Sequence, residues 1–149
     1  MSDSLIRDLD DATAIRVLQT FASARARQAD VVTRWTPDVR DALLQAVDAA
    51  QIAPAGVSEA ELAREMLLAL SSDPELREPL RALIHHPPPQ RFLEPGTMAL
   101  GVAALIALQT HVEFKKNKDG TWSLKIVKEP LSTELIKELI KKVAAYFES

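Results

Sequence analysis

The sequence predicts a mostly α-helical α+β protein. It divides into an N-terminal bundle of four or five helices (residues 1–86), a proline-rich linker (87–96) and a C-terminal α-β-β-α module (97–149) with one antiparallel hairpin. Three observations carry that expectation. Apolar residues recur at helical spacing through the first half, and most runs follow a helix-start signal. Two alternating runs flank Asn117-Lys118-Asp119-Gly120, which has the composition of a hairpin turn. All ten arginines lie between Arg7 and Arg91 and all eight lysines between Lys115 and Lys142, a partition that suggests two modules.

The elements follow in order. Leu5, Ile6 and Leu9 make a short amphipathic turn or helix, and Asp8, Asp10 and Asp11 then mark a helix start. Ile15, Leu18, Phe21 and Ala22 give that helix its buried stripe, and Val31, Val32 and Trp35 extend the pattern after a break near Asp30. Thr36-Pro37-Asp38 is a cap hydroxyl, a first-turn proline and an acid, so a second helix starts there with Val39, Leu43, Val47 and Ala50 inward. Ala53-Pro54-Ala55-Gly56 ends it.

Ser58 and Glu61 form a capping box for a helix buried through Leu62, Met66, Leu67 and Leu70. Asp73-Pro74 repeats the cap-and-proline signal ahead of Leu76, Leu80, Leu83 and Ile84, with Pro79 expected to kink or restart the helix. Pro87-Pro88-Pro89 imposes polyproline geometry and opens the linker.

In the second module Thr97 caps an all-round apolar helix from Met98 to about Gln109. The turn fixes a register pairing Asn117 with Thr121, Lys116 with Trp122, Phe114 with Leu124 and Val112 with Ile126; one face is then apolar. Ser132 caps the last helix, which turns Leu135, Ile136, Leu139, Ile140, Val143 and Phe147 inward. A lone hairpin is marginal in water, so its apolar face is expected to pack on one or both helices of its own module.

Chemistry-bearing motifs are absent. The chain has no cysteine, which removes disulfides, thiol nucleophiles and cysteine-based zinc sites. Its four glycines are not spaced as in a phosphate-cradling loop or a nucleophile elbow. His85 and His86 are neighbours whose side chains diverge on a helix, and His111 is the only other histidine. Asp8, Asp10 and Asp11 lack the glycine and distal glutamate of a calcium loop. Glu59 with Glu61 and Glu75 with Glu78 fall in first turns, where acids are favoured anyway. No catalytic, metal or cofactor site is expected, and the chain reads as a non-enzyme.

Interaction candidates remain. Ten arginines against fifteen acids precede Gly96, net −5, and eight lysines against six acids follow it, net +2. Lys115, Lys116, Lys118, Lys125 and Lys128 around Trp122 invite a nucleic-acid reading, but lysine on a two-stranded sheet is the usual protection of an edge, so nucleic acid is not the expected partner. Met98 to Leu108 covers eleven residues, short of the roughly 20 needed to span a bilayer. The opening Met-Ser-Asp-Ser-Leu-Ile-Arg-Asp carries early acids and no long apolar core, unlike a secretory signal, so a cytoplasmic protein is expected.

The last fifty or so residues hold an apolar small-residue helix running into Ala-Leu-Gln109-Thr-His-Val-Glu-Phe-Lys-Lys. Asp-Gly-Thr-Trp, Lys-Glu-Pro-Leu-Ser and an amphipathic helix follow. They resemble the small α+β effector-associated components encoded beside proteases and NTPases in bacterial conflict (antiphage) systems. That resemblance covers a third of the chain and rests on architecture. It implies an adaptor for a protease or NTPase, with the helical part a death-fold-like docking domain, and it carries over no site residues. The expected function is thus a protein–protein adaptor or assembly component, with self-association open. Trp35, Lys115, Lys116, Trp122 and Lys125 are its candidate interface residues. The alternative is a membrane-acting effector that exposes helix 98–108 on activation.

Overall fold

The computed structural model describes residues 3–27, 31–47, 58–86, 99–126 and 133–148. Along these the chain forms α1 (Asp3–Arg7), α2 (Asp11–Arg25), α3 (Pro37–Ala46), α4 (Glu59–Ser71), α5 (Pro74–His85), α6 (Leu100–Leu108), β1 (Val112–Lys116), β2 (Trp122–Ile126) and α7 (Thr133–Glu148). The protein is mostly α with one small antiparallel hairpin, as the sequence predicts. The linker, the Ala53–Gly56 stop and the break near Asp30 lie outside the described residues, as do Thr97, Met98, Lys128, Pro130 and Ser132.

Helix starts follow the local chemistry. The Val39 N–H donates to Thr36 Oγ1 at 3.2 Å, the Glu61 N–H to Ser58 Oγ at 3.1 Å, and the Glu75 N–H to Asp73 Oδ1 at 3.0 Å. Each satisfies one of the donors a first turn leaves over. Of the kink or restart expected at Pro79, the restart does not occur: helix α5 is continuous from Pro74 to His85. One expectation needs correcting: Leu135 is exposed at 36%, so the inward stripe of α7 begins at Ile136 and continues through Leu139, Ile140 and Val143.

The apolar core holds residues from both halves of the chain. Helix α6 is buried on all sides, packed most extensively on α2 and then on α4 and α7. One apolar cluster runs from Ile6 through Leu18, Leu43, Leu67 and Leu105 to Val143. Gly101 permits this density: a Cβ there would lie 2.8 Å from Tyr146 Cε1 and 2.9 Å from Phe147 Cζ. Polar ties cross the same boundaries. Arg64 Nη2 donates to the Leu9 carbonyl and to Asp11 Oδ1, both at 2.6 Å, and Lys142 lies 3.2 Å from Glu65.

The hairpin pairs Val112 with Ile126, Phe114 with Leu124 and Lys116 with Trp122, the register its turn predicts. Gly120 has φ +88°, and its N–H donates to the Asn117 carbonyl at 3.1 Å. Asp119 Oδ1 accepts from the Thr121 N–H at 3.0 Å and the Thr121 hydroxyl at 2.6 Å, closing the loop. The expectation that the hairpin rests on its own flanking helices is corrected. Its principal helical contact is α3 of the N-terminal half, through β2, because α6 is already enclosed by α2, α4 and α7.

Candidate interaction surfaces

The hairpin has two unequal edges. β2 lies against α3, whereas β1 has β2 as its only principal neighbour among the described elements. In an antiparallel ladder, hydrogen-bonded and non-hydrogen-bonded pairs alternate. The Asn117 N–H donates to the Thr121 carbonyl at 2.7 Å, which makes Lys115–Ser123 and Glu113–Lys125 the bonded pairs. The backbone N–H and C=O groups of Val112, Phe114 and Lys116 therefore point away from β2. Glu113, Lys115, Lys116 and Lys118 are exposed along this edge and its turn.

The five residues the sequence singled out are placed unequally. Lys115, Lys116 and Lys125 are exposed on the hairpin, and Trp122 is half-buried opposite Lys116. Trp35 does not join them. It is half-buried, with its ring stacked on Phe147 of α7 at 4.4 Å between centroids and 5° between planes.

A second constellation, missed in the sequence, sits where α6 ends. Gln109, Thr110 and His111 are consecutive, polar and buried. Gln109 pairs with the backbone of Val32 as a strand would: its Oε1 accepts from the Val32 N–H at 2.8 Å, and its Nε2 donates to the Val32 carbonyl at 2.7 Å. The same Nε2 donates to the Leu105 carbonyl at 3.2 Å, and Arg25 Nη2 donates to the Gln109 carbonyl at 3.1 Å. Residues 31–36 are thereby held without regular structure, which is why Val31, Val32 and Trp35 do not continue a helix. His111 Nε2 lies 3.4 Å from Asp73 Oδ2, with the two side chains 3% and 1% exposed. That contact is ionic whenever the imidazole is protonated. Since Asp73 also caps α5, the pair fixes the start of α5 against the α6–β1 junction.

Beside this junction α2 and α5 leave a groove of about 620 Å³. Phe21 and Ala24 of α2 and Leu76, Pro79 and Leu83 of α5 make its apolar walls, while Arg25 and Thr110 also line it. A volume of this size is typical of small-molecule sites. A second, smaller depression is lined mainly by charged residues, Arg7, Glu61 and Lys142 among them, and Arg64 within it is already bonded to Asp11.

No described helix is long and apolar enough to cross a membrane, and no cluster of three or more metal-ligating side chains occurs among the described residues. Comparison of the chain with known protein families, with curated proteins and with solved structures found no match.

Proposed function

We propose that this protein is a non-enzymatic adaptor that works in the cytoplasm and docks an extended, acidic segment of a protein partner along the outer edge of β1. The observation that carries the reading is the outer edge of β1, which has β2 as its only principal neighbour among the described elements. Outward backbone groups of Phe114 and Lys116 lie among Lys115, Lys116 and Lys118. Strand addition draws its affinity from main-chain hydrogen bonds, and the lysines select for acidic side chains while discouraging a second copy of the same edge. The buried His111–Asp73 pair supports the non-enzymatic part. At 3% and 1% exposure both side chains are buried, and Asp73 also caps α5. The architectural resemblance of the last fifty residues to conflict-system components directs the search for a partner toward a protease or NTPase of a bacterial defence locus.

The test is a photo-crosslinking residue at Lys115, introduced in the native host, with the captured partner identified and then titrated as a pure protein. Lys116→Pro removes an outward N–H at an edge position, which a strand tolerates. It is expected to abolish crosslinking and binding while the hairpin stays folded. Lys115→Glu with Lys116→Glu is expected to do the same, and added salt to weaken wild-type binding. A partner that binds both variants as well as wild type would defeat the proposal.

A further inference from the structure

We infer that the segment docked on β1 runs antiparallel to it and reads, from its N-terminus, two acids, an apolar residue and a base. The inference rests on the reading of that edge as a docking site and adds the direction and side-chain order of the occupant. Length is the first constraint. Val112 is 1% exposed, and Asn117 turns its N–H inward to the Thr121 carbonyl, so Phe114 and Lys116 alone offer outward backbone groups. A strand bonded to both places three residues across from Lys116, Lys115 and Phe114, and a fourth reaches Glu113.

Direction is the second constraint. β1 is already antiparallel to β2. An antiparallel addition exchanges both bonds of each outward residue perpendicular to the strands, whereas a parallel one slants them and is less stable per residue. The N-terminal end of the segment therefore lies at the turn.

Charge then sets the order, because opposed residues of an antiparallel pair sit on the same face. The first two residues meet Lys116 and Lys115, with Lys118 just beyond them, and acids complement all three. The third falls on the face that Phe114 shares with Trp122 and Leu124, all half-buried, where an apolar side chain covers what is left exposed. The fourth meets Glu113, so a base is complemented and a third acid is repelled. Glu113, Lys115, Lys116 and Lys118 are exposed, and none of them enters an ion pair among the described residues.

NMR titration of the isotope-labelled full chain tests this with three capped peptides. Thr-Glu-Glu-Ile-Lys-Thr-Ser carries the inferred order, Thr-Glu-Glu-Ile-Glu-Thr-Ser replaces its base, and Ser-Thr-Lys-Ile-Glu-Glu-Thr reverses it. The first should shift the Phe114 and Lys116 amides and bind roughly threefold or more tightly than either of the others. Glu113→Lys with Lys125→Glu keeps opposite charges facing across the hairpin, and should invert the preference between the first two peptides. A nitroxide on the N-terminus of the first peptide should broaden Lys118 more strongly than Glu113. Equal binding of the three peptides, no inversion in the exchanged chain, or stronger broadening at Glu113 overturns the inference and leaves the edge reading standing. If no peptide shifts the Phe114 and Lys116 amides, both fall. Both fall as well if those amides shift with protein concentration alone, which would place a second copy of the chain on the edge.

Discussion

Replacing Gln109 with alanine removes three hydrogen bonds at once, two of them to the backbone of a residue 77 positions away. The Val32 N–H and carbonyl are left facing a side chain that can neither accept nor donate. Each stranded backbone group costs about 1–3 kcal/mol, toward the lower end here because Val32 is only half-buried. The expected loss is therefore about 2–4 kcal/mol, a large part of the 5–15 kcal/mol typical of a domain. For a chain of this length that lowers Tm by roughly 6–12 °C and the urea midpoint by about 1–2 M. Urea titrations followed by circular dichroism measure it, with an unchanged m-value showing that the unfolding reaction is the same. Gln109→Glu separates the two bonds. Its carboxylate still accepts from the Val32 N–H but cannot donate to the Val32 carbonyl, so it too should destabilise at neutral pH and recover in part when protonated. A loss below about 0.5 kcal/mol for Gln109→Ala, the level of an ordinary surface change, would refute this account of how residues 31–36 are held.

Three further outcomes follow from the same structure. Asp73→Ala removes the α5 cap, so it should cost about 1–2 kcal/mol; Asp73→Asn keeps an acceptor for the Glu75 N–H and should cost less, by chemical denaturation of both. Equal losses would mean that the cap is irrelevant. Gly120→Ala meets no atom within 4 Å but must hold φ +88°, so it should cost about 1–2 kcal/mol through backbone strain alone, and a neutral effect would contradict the left-handed turn. The hydroxyl of Thr121, and then its N–H, hold the Asp119 carboxyl below its ordinary value of 3.8. Its support of the turn is thus present above that value and lost as pH falls through the lowered one. A carboxyl NMR titration with a midpoint at or above 3.8 would contradict it.

Much of the fold was legible because the signals are local. Thr36, Ser58 and Asp73 cap the helices that follow them, and the Asn117–Gly120 turn sets the hairpin register through its own backbone geometry. What the sequence could not give is which elements meet. The hairpin's sequence does not encode whether its strands will meet α3 or α7, and the arginine–lysine partition describes surfaces rather than cores. The polar run Gln109-Thr110-His111 read as an ordinary helix exit. Its signal was its position: a helix apolar on every side ends deep in the protein, so polar residues that follow it need internal partners. Their partners, Val32 and Asp73, lie 77 and 38 residues earlier, beyond any local pattern. Leu135 fell on the apolar stripe by spacing, but spacing does not set the stripe's width. Of the candidate interface residues, the lysines and Trp122 lie on the hairpin, as their place in the turn-defined register implies, whereas the stacking of Trp35 on Phe147 depends on a helix more than a hundred residues away.

Residue-resolved amide hydrogen exchange of the unliganded protein addresses the β1 edge most directly. The amides of Glu113 and Lys115, bonded to β2, should exchange slowly, while those of Phe114 and Lys116 exchange fast and become protected when a strand is added. Phe114 and Lys116 amides as slow as that of Lys115 would mean that the edge is already covered, and with it the docking surface on which the adaptor reading stands.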